Sequence, residues 1–130
     1  AYYDGGALVN NSATVVNAAN ASGMGDVVYF GFDSSDIDAQ GQAVLSQQAQ
    51  FLQANPNARV VIAGHTDERG SREYNMALGE RRARAAQSYL TSQGIAADRT
   101  EAVSYGEEQP ADPGHDEAAW AKNRRAVLSY

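Results

Sequence analysis

The stretch RVVIAGHTDERGSREYNMALGERRARA, residues 59 to 85, decides the fold. Its first seven residues are an almost unbroken apolar run, as expected of a strand that lies centrally in a sheet or is covered on both faces. From Ser71 or Arg72 the spacing turns helical and runs to Ser92, with a stop at Gly94. Between strand and helix, a short loop crowds His65, Asp67, Glu68, Arg69 and Arg72 around two glycines. So much mixed charge at a strand-to-helix turn calls for an explanation.

Working outward, VVYFGF (27–32) is β-branched and aromatic, and DSSDIDAQGQ after it is rich in residues that cap helices. Ile37, Val44, Leu45, Ala49 and Leu52 then follow near helical spacing until Asn55-Pro56 stops them. Downstream, EAVSY (101–105) and RAVLSY (125–130) read as strands, with DEAAWAKN a short helical turn before the last. The order β-α-β-α-β-α-β predicts helices packed on a mixed four-stranded sheet, an α/β (α+β) sandwich. Residues 26–130 form that single domain. Residues 1–25, small, polar and punctuated by glycine, are read as a flexible tether spanning on the order of 25–30 Å.

At 130 residues the chain is long enough to bury one core without staples. It has no cysteine, which removes disulfides and thiolate metal sites. No apolar run approaches the ~20 residues of a membrane-spanning helix, and no basic-then-apolar leader opens the chain, which is expected to be a mature or trimmed soluble form. Sixteen acids against ten bases give a net charge of −6, the wrong sign for a nucleic-acid partner.

On the long helix, at ~100° per residue, Tyr74, Leu78, Ala85 and Tyr89 are expected to form the apolar stripe. Glu73, Glu80, Arg84 and Thr91 lie opposite, facing water. Arg82 breaks this division, projecting beside Leu78 and Tyr89 on the side of Asn75. Gly79 sits between them although a mid-helix glycine costs about 1 kcal/mol relative to alanine. Two readings of Arg82 are open: it snorkels along the stripe, or it is held partly buried opposite a carboxylate, for which Asp67 is the candidate.

Catalysis is not what these residues suggest. His65 and Asp67 stand i,i+2 at a strand end, but no further ligand set supports a metal, and His115 lies in a polar loop. Ser71 and His65 lack a nucleophile elbow, and Ser71 is already explained as a helix N-cap. Asp67 and Glu68 stand among arginines that keep them ionised, unsuited to acid/base work. What remains is recognition: a loop carboxylate, a helix N-terminus and a helix-face guanidinium suit a ligand carrying both an ammonium and a carboxylate. A zwitterion fits and a polyphosphate does not. An internal salt bridge explains the same residues without a ligand.

VYFGFDSSDI (28–37), GHTDERGSREYNMALGERRARA (64–85) and WAKNRRAVLSY (120–130) resemble the outer-membrane protein A-like domain family. The family pattern T-D-x-x-G-x-x-x-x-N-x-x-L-x-x-x-R-A runs from Thr66 through Ala83. GHTDERG and ALGERRA look more like its lipoprotein members than its porin or flagellar-stator members. The resemblance implies non-covalent, non-catalytic binding of the peptidoglycan stem peptide through diaminopimelate, with no cofactor. By motif position, Asp67 and Arg82 are the central pair, Thr66 and Asn75 lie beside them, Phe32, Asp33 and Arg124 assist, and Leu78 is a pocket wall. It also implies a periplasmic location at the outer membrane, a lipid anchor on an N-terminal cysteine that precedes this chain, and partnership with TolB and the Tol system in envelope integrity and cell division. A docking module for the Tol system without wall binding, and a cell-wall hydrolase, are the alternatives.

Overall fold

The computed structural model describes residues 11–130. At its centre lies β2 (Val60–His65), buried at every position. It pairs in parallel with β3 (Thr100–Gly106) and antiparallel with β4 (Arg125–Ser129), and β1 (Val27–Tyr29) completes the sheet beside β4. The order β1-β4-β2-β3 is the mixed four-stranded sheet expected from the sequence. The parallel β2/β3 pair needs a crossover, and α3 (Arg72–Ser92) supplies it. β1 ends three residues short of the expected strand because the chain turns at Gly31–Ser34, with Asp33 at φ 51°.

The main core lies between the sheet and two helices. From α2 (Ala39–Ala54), Leu45, Ala49 and Leu52 meet Val28, Val60, Ile62 and Leu128 of the sheet, and α3 adds Ala83, Ala86 and Leu90. Asp38 caps α2, accepting from the Gly41 N–H at 2.9 Å, so the helix starts two residues after Ile37. Side chains of opposite parity, Val61 and Ala63 with Val103 and Tyr105, form a smaller cluster on the other sheet face. The short α4 (Glu117–Asn123) precedes β4.

The face that α3 buries differs from the expected stripe. Asn75, Leu78, Gly79, Arg82, Ala83, Ala86 and Leu90 are buried, whereas Tyr74 is exposed and Ala85 and Tyr89 are half-buried. The reason is how closely the helix sits on the sheet. A Cβ added to Gly64 would lie 1.7 Å from the Gly79 carbonyl oxygen, and one added to Gly79 would lie 2.3 Å from Ser104 Oγ. Backbone touches backbone here, so small residues mark the buried face and the bulky aromatics are turned aside. Glu73, Arg84 and Thr91 face water as expected, and the Glu80–Arg84 pair forms at 3.5 Å.

The segment read as a tether also differs. Ala13–Ala21 form helix α1, capped by Ser12, which accepts from the Val15 N–H at 3.3 Å. Asn11 exchanges two 2.8 Å hydrogen bonds with the backbone of Arg59, and Val15 packs against the main core. The alanines favour a helix, and the contact with residue 59 is one that local composition does not disclose. Residues 1–10 of the expected tether lie outside the described residues.

Candidate functional site

The close seat of α3 on β2 brings the strand's end beside the middle of the helix. The result is a cavity of about 190 Å³. Phe32 and Asp33 line it from the turn after β1, Thr66 and Asp67 from the end of β2, and Asn75, Leu78 and Arg82 from α3. Seven of the eight residues named from sequence therefore share one hollow; Arg124 reaches Asp67 from outside the lining.

Arg82 forms the floor, and it is fully buried. It neither snorkels nor forms a direct ion pair with Asp67. Its Nε donates to the Ser34 carbonyl at 2.8 Å, Nη1 to His65 at 2.8 Å and Nη2 to Gly31 at 3.0 Å. The guanidinium thus ties the turn after β1 to the end of β2, and Phe30 lies over it with the ring centroid 5.4 Å away. Burial lowers its pKa to about 10, while the Asp67 charge acts in the opposite direction. At neutral pH it is still a cation.

Asp67 is the anion, with its side chain only 5% exposed. Its partner is Arg69, which donates from its backbone N–H at 3.0 Å, from Nε at 3.2 Å and from Nη2 at 2.7 Å. Arg124 adds a 3.4 Å contact from Nη1. Burial pushes this carboxyl upward, but the hydrogen bonds and charge of Arg69, with Arg124, outweigh it and hold the carboxyl below its ordinary value. The expected Asp67–Arg82 pair is therefore corrected: the two share the cavity, but each is satisfied by other groups. A buried guanidinium needs several acceptors in its own plane, and three backbone carbonyls provide them where one carboxylate would not.

Thr66 and Asn75, expected beside the ligand, also hold the loop's backbone. Thr66 Oγ1 donates to the Asp67 carbonyl at 2.9 Å. Asn75 Nδ2 donates to the Arg69 carbonyl at 3.0 Å and to Glu107 at 2.8 Å. Gly70, at φ 103°, lets the chain turn from this loop into α3.

Around the mouth, side chains hold side chains. The Arg69 guanidinium lies 4.1 Å from the ring centroids of both Phe32 and Trp120. Trp120 Nε1 donates to Glu68 at 2.9 Å, and His115 Nδ1 lies 2.8 Å from the same carboxylate. The hydrogen bonds from Trp120 and His115 hold Glu68 below its ordinary pKa, and Glu68 in turn raises that of His115. The Tyr74 hydroxyl donates to Asp33 across the opening.

His65 does not line the cavity. It is buried, stacked on Tyr105 with centroids 5.3 Å apart, and its Nδ1 has no hydrogen-bond partner. Burial lowers its pKa to about 3, so it is neutral, and Ser71 is occupied as the N-cap of α3, accepting from the Tyr74 N–H. No hydrogen bond joins the two, so they do not form a nucleophile–base pair in this arrangement. No cluster of three metal-ligating side chains occurs among the described residues.

Residues 29–124 match the model of the OmpA family. The chain belongs to the OmpA family. Among relatives, the peptidoglycan-associated lipoprotein of Pasteurella multocida is 54% identical over 105 residues, covering 81% of this chain and 70% of that protein. The protein of the same name from Haemophilus influenzae is also 54% identical, covering 81% and 69%. The crystal structure of the peptidoglycan-associated lipoprotein from Burkholderia pseudomallei superposes with a TM-score of 0.83 at 47% identity, over 89% of this chain and 98% of that one. The C-terminal domain of Helicobacter pylori MotB, 21% identical with a TM-score of 0.72, shares the fold.

In this OmpA-family domain, sequence reasoning missed Arg69 and Tyr74 as parts of the cavity. Its size and aromatic ring point Tyr74 to the core, but a helix that touches a strand through glycine has no room for it there. Arg69 carries a usable signal: a side-chain carboxylate two residues before an N–H in a turn segment often accepts from it, which holds Asp67 and Arg69 together.

Proposed function

We propose that this OmpA-family domain binds peptidoglycan non-covalently and without catalysis, through the diaminopimelate of the stem peptide, and so anchors the outer membrane to the cell wall. One observation carries the reading: a single cavity presents a buried carboxylate, Asp67, and a buried guanidinium, Arg82, on different elements. The free end of diaminopimelate bears an ammonium and a carboxylate on one carbon. Asp67 answers the first. Arg82, with three N–H groups fixed on carbonyls, has further donors in its fork for the second. Leu78 and Phe32 supply apolar walls for the methylenes, and Asp33, Thr66, Asn75 and Arg124 hold the frame.

The names of the similar lipoproteins agree with wall association. The same reading places the protein on the periplasmic face of the outer membrane, held by an N-terminal lipid, with TolB and the other Tol proteins as partners in envelope constriction. No described helix is long and apolar enough to cross a membrane.

Titration with a diaminopimelate-containing stem peptide, followed by backbone amide shifts, tests ligand and location together. Shifts are expected at Gly31–Asp33 and Thr66–Arg69, and Asp67→Asn should abolish both these shifts and sedimentation with purified wall. Absent shifts, or binding unchanged in Asp67→Asn, would reject the site. TolB binding by a domain that ignores wall fragments would favour a docking module instead.

A further inference from the structure

Asp67 has no acceptor position left for a ligand. Oδ1 takes the Arg69 backbone N–H at 3.0 Å and its Nε at 3.2 Å, and Oδ2 takes Arg69 Nη2 at 2.7 Å and Arg124 Nη1 at 3.4 Å. A carboxylate offers about four lone-pair sites. An ammonium therefore reaches Asp67 only by replacing a donor already there.

How each donor is held decides which one yields. The Arg69 N–H belongs to the turn itself. Arg124 is 9% exposed and is fixed by the Phe30 carbonyl at 3.0 Å and Glu117 at 2.9 Å. The Arg69 side chain is 32% exposed and held from above only by the rings of Phe32, itself 62% exposed, and Trp120. Glu117 Oε2 lies 3.9 Å from Arg69 Nη2 and offers a second anion. The Arg69 guanidinium can leave Asp67 while keeping a counter-charge and an aromatic neighbour.

We propose that Arg69 is a resident plug: its guanidinium occupies on Asp67 the position that a ligand ammonium needs, and binding exchanges one cation for the other. The inference rests on the zwitterionic ligand proposed above. It makes Arg69 a residue that sets the affinity of the site, since every ligand that needs Asp67 meets the same displacement. A ligand that engages Arg82 through a carboxylate while its ammonium takes Asp67 makes two contacts for the one it displaces. A simple amine has only the second, so it binds more weakly than the zwitterion both with and without the plug.

The test compares wild type, Arg69→Ala and Arg69→Gln, the last retaining part of the stem between the two rings. If the plugged state holds roughly nine tenths of the molecules, removing it strengthens binding of the diaminopimelate stem peptide about tenfold. Millimolar methylguanidinium should reverse the gain in Arg69→Ala, and 1,5-diaminopentane should shift the Thr66–Arg69 amides in that variant at about a tenth of the concentration that wild type needs. Wild-type binding with equal or weaker binding by both variants would overturn the plug and leave the wall-binding reading intact. Absence of peptide binding in wild type and variants alike would overturn the wall-binding reading, and the plug with it.

Discussion

Arg82 and Arg69 are cations on the same cavity, yet they are held by opposite means. Arg82 is bonded to three backbone carbonyls and has no exposure. Arg69 is bonded to a side chain, stacked between two rings and partly wet. Backbone acceptors are fixed by the fold, so the floor is part of the architecture. Side-chain partners rotate, so the rim can exchange them. A binding site gains from both: a charge whose position is settled before the ligand arrives, and a cover that gives way.

The comparison breaks most completely if the floor is lifted. Gly64→Ala puts a methyl 1.7 Å from a backbone oxygen of α3, and the strand and helix have to part. We expect a loss of about 4 kcal/mol or more in urea unfolding; a variant of wild-type stability would show that the seat is not tight. Next, Arg82→Ala strands the carbonyls of Gly31, Ser34 and His65, with an expected loss of about 3 kcal/mol. Arg82→Lys should recover only part, because a point charge cannot reach all three. Stability unchanged in Arg82→Ala would place that residue with the rim.

Arg69→Ala, by contrast, should cost no more than about 1 kcal/mol, the scale of a partly exposed ion pair. A loss as large as that of Arg82→Ala would erase the distinction. Near neutral pH the smallest effects are in pH dependence, and the two histidines should differ in sign. His115, raised by Glu68, stabilises its contact below about pH 6.5, and this stabilisation fades as pH rises through the raised value. His65, lowered to about 3 by burial, favours the fold above about pH 6.5; its contribution declines as pH falls from there toward 3, because the unfolded chain binds a proton that the folded one refuses. Ring-proton titrations of the two histidines check both, and a His65 that titrates near its ordinary value would contradict the burial.

The sheet was legible because β2 is a continuous apolar run and the flanking segments carry caps and stops at Asp38, Pro56, Ser71 and Gly94. The site was legible as a cluster of residue types at fixed spacing, and the family pattern from Thr66 to Ala83 aligned them. The buried face of α3 was misread because periodicity weighs Tyr74 and Tyr89 by their size, whereas the contact is made through Gly79, Ala83 and Ala86. Helix α1 was missed because its hold, Asn11 on Arg59, spans 48 residues.

By itself, the sequence determined which groups could meet: one carboxylate loop, one helix bearing an out-of-place arginine, and a strand to join them, since local propensity and spacing are properties of neighbours along the chain. Only the tertiary structure decided which charge answers which. A guanidinium or carboxylate takes whatever partners desolvation leaves within hydrogen-bond reach, and at Arg82 and Asp67 these come from segments as far apart as Gly31 and Arg124.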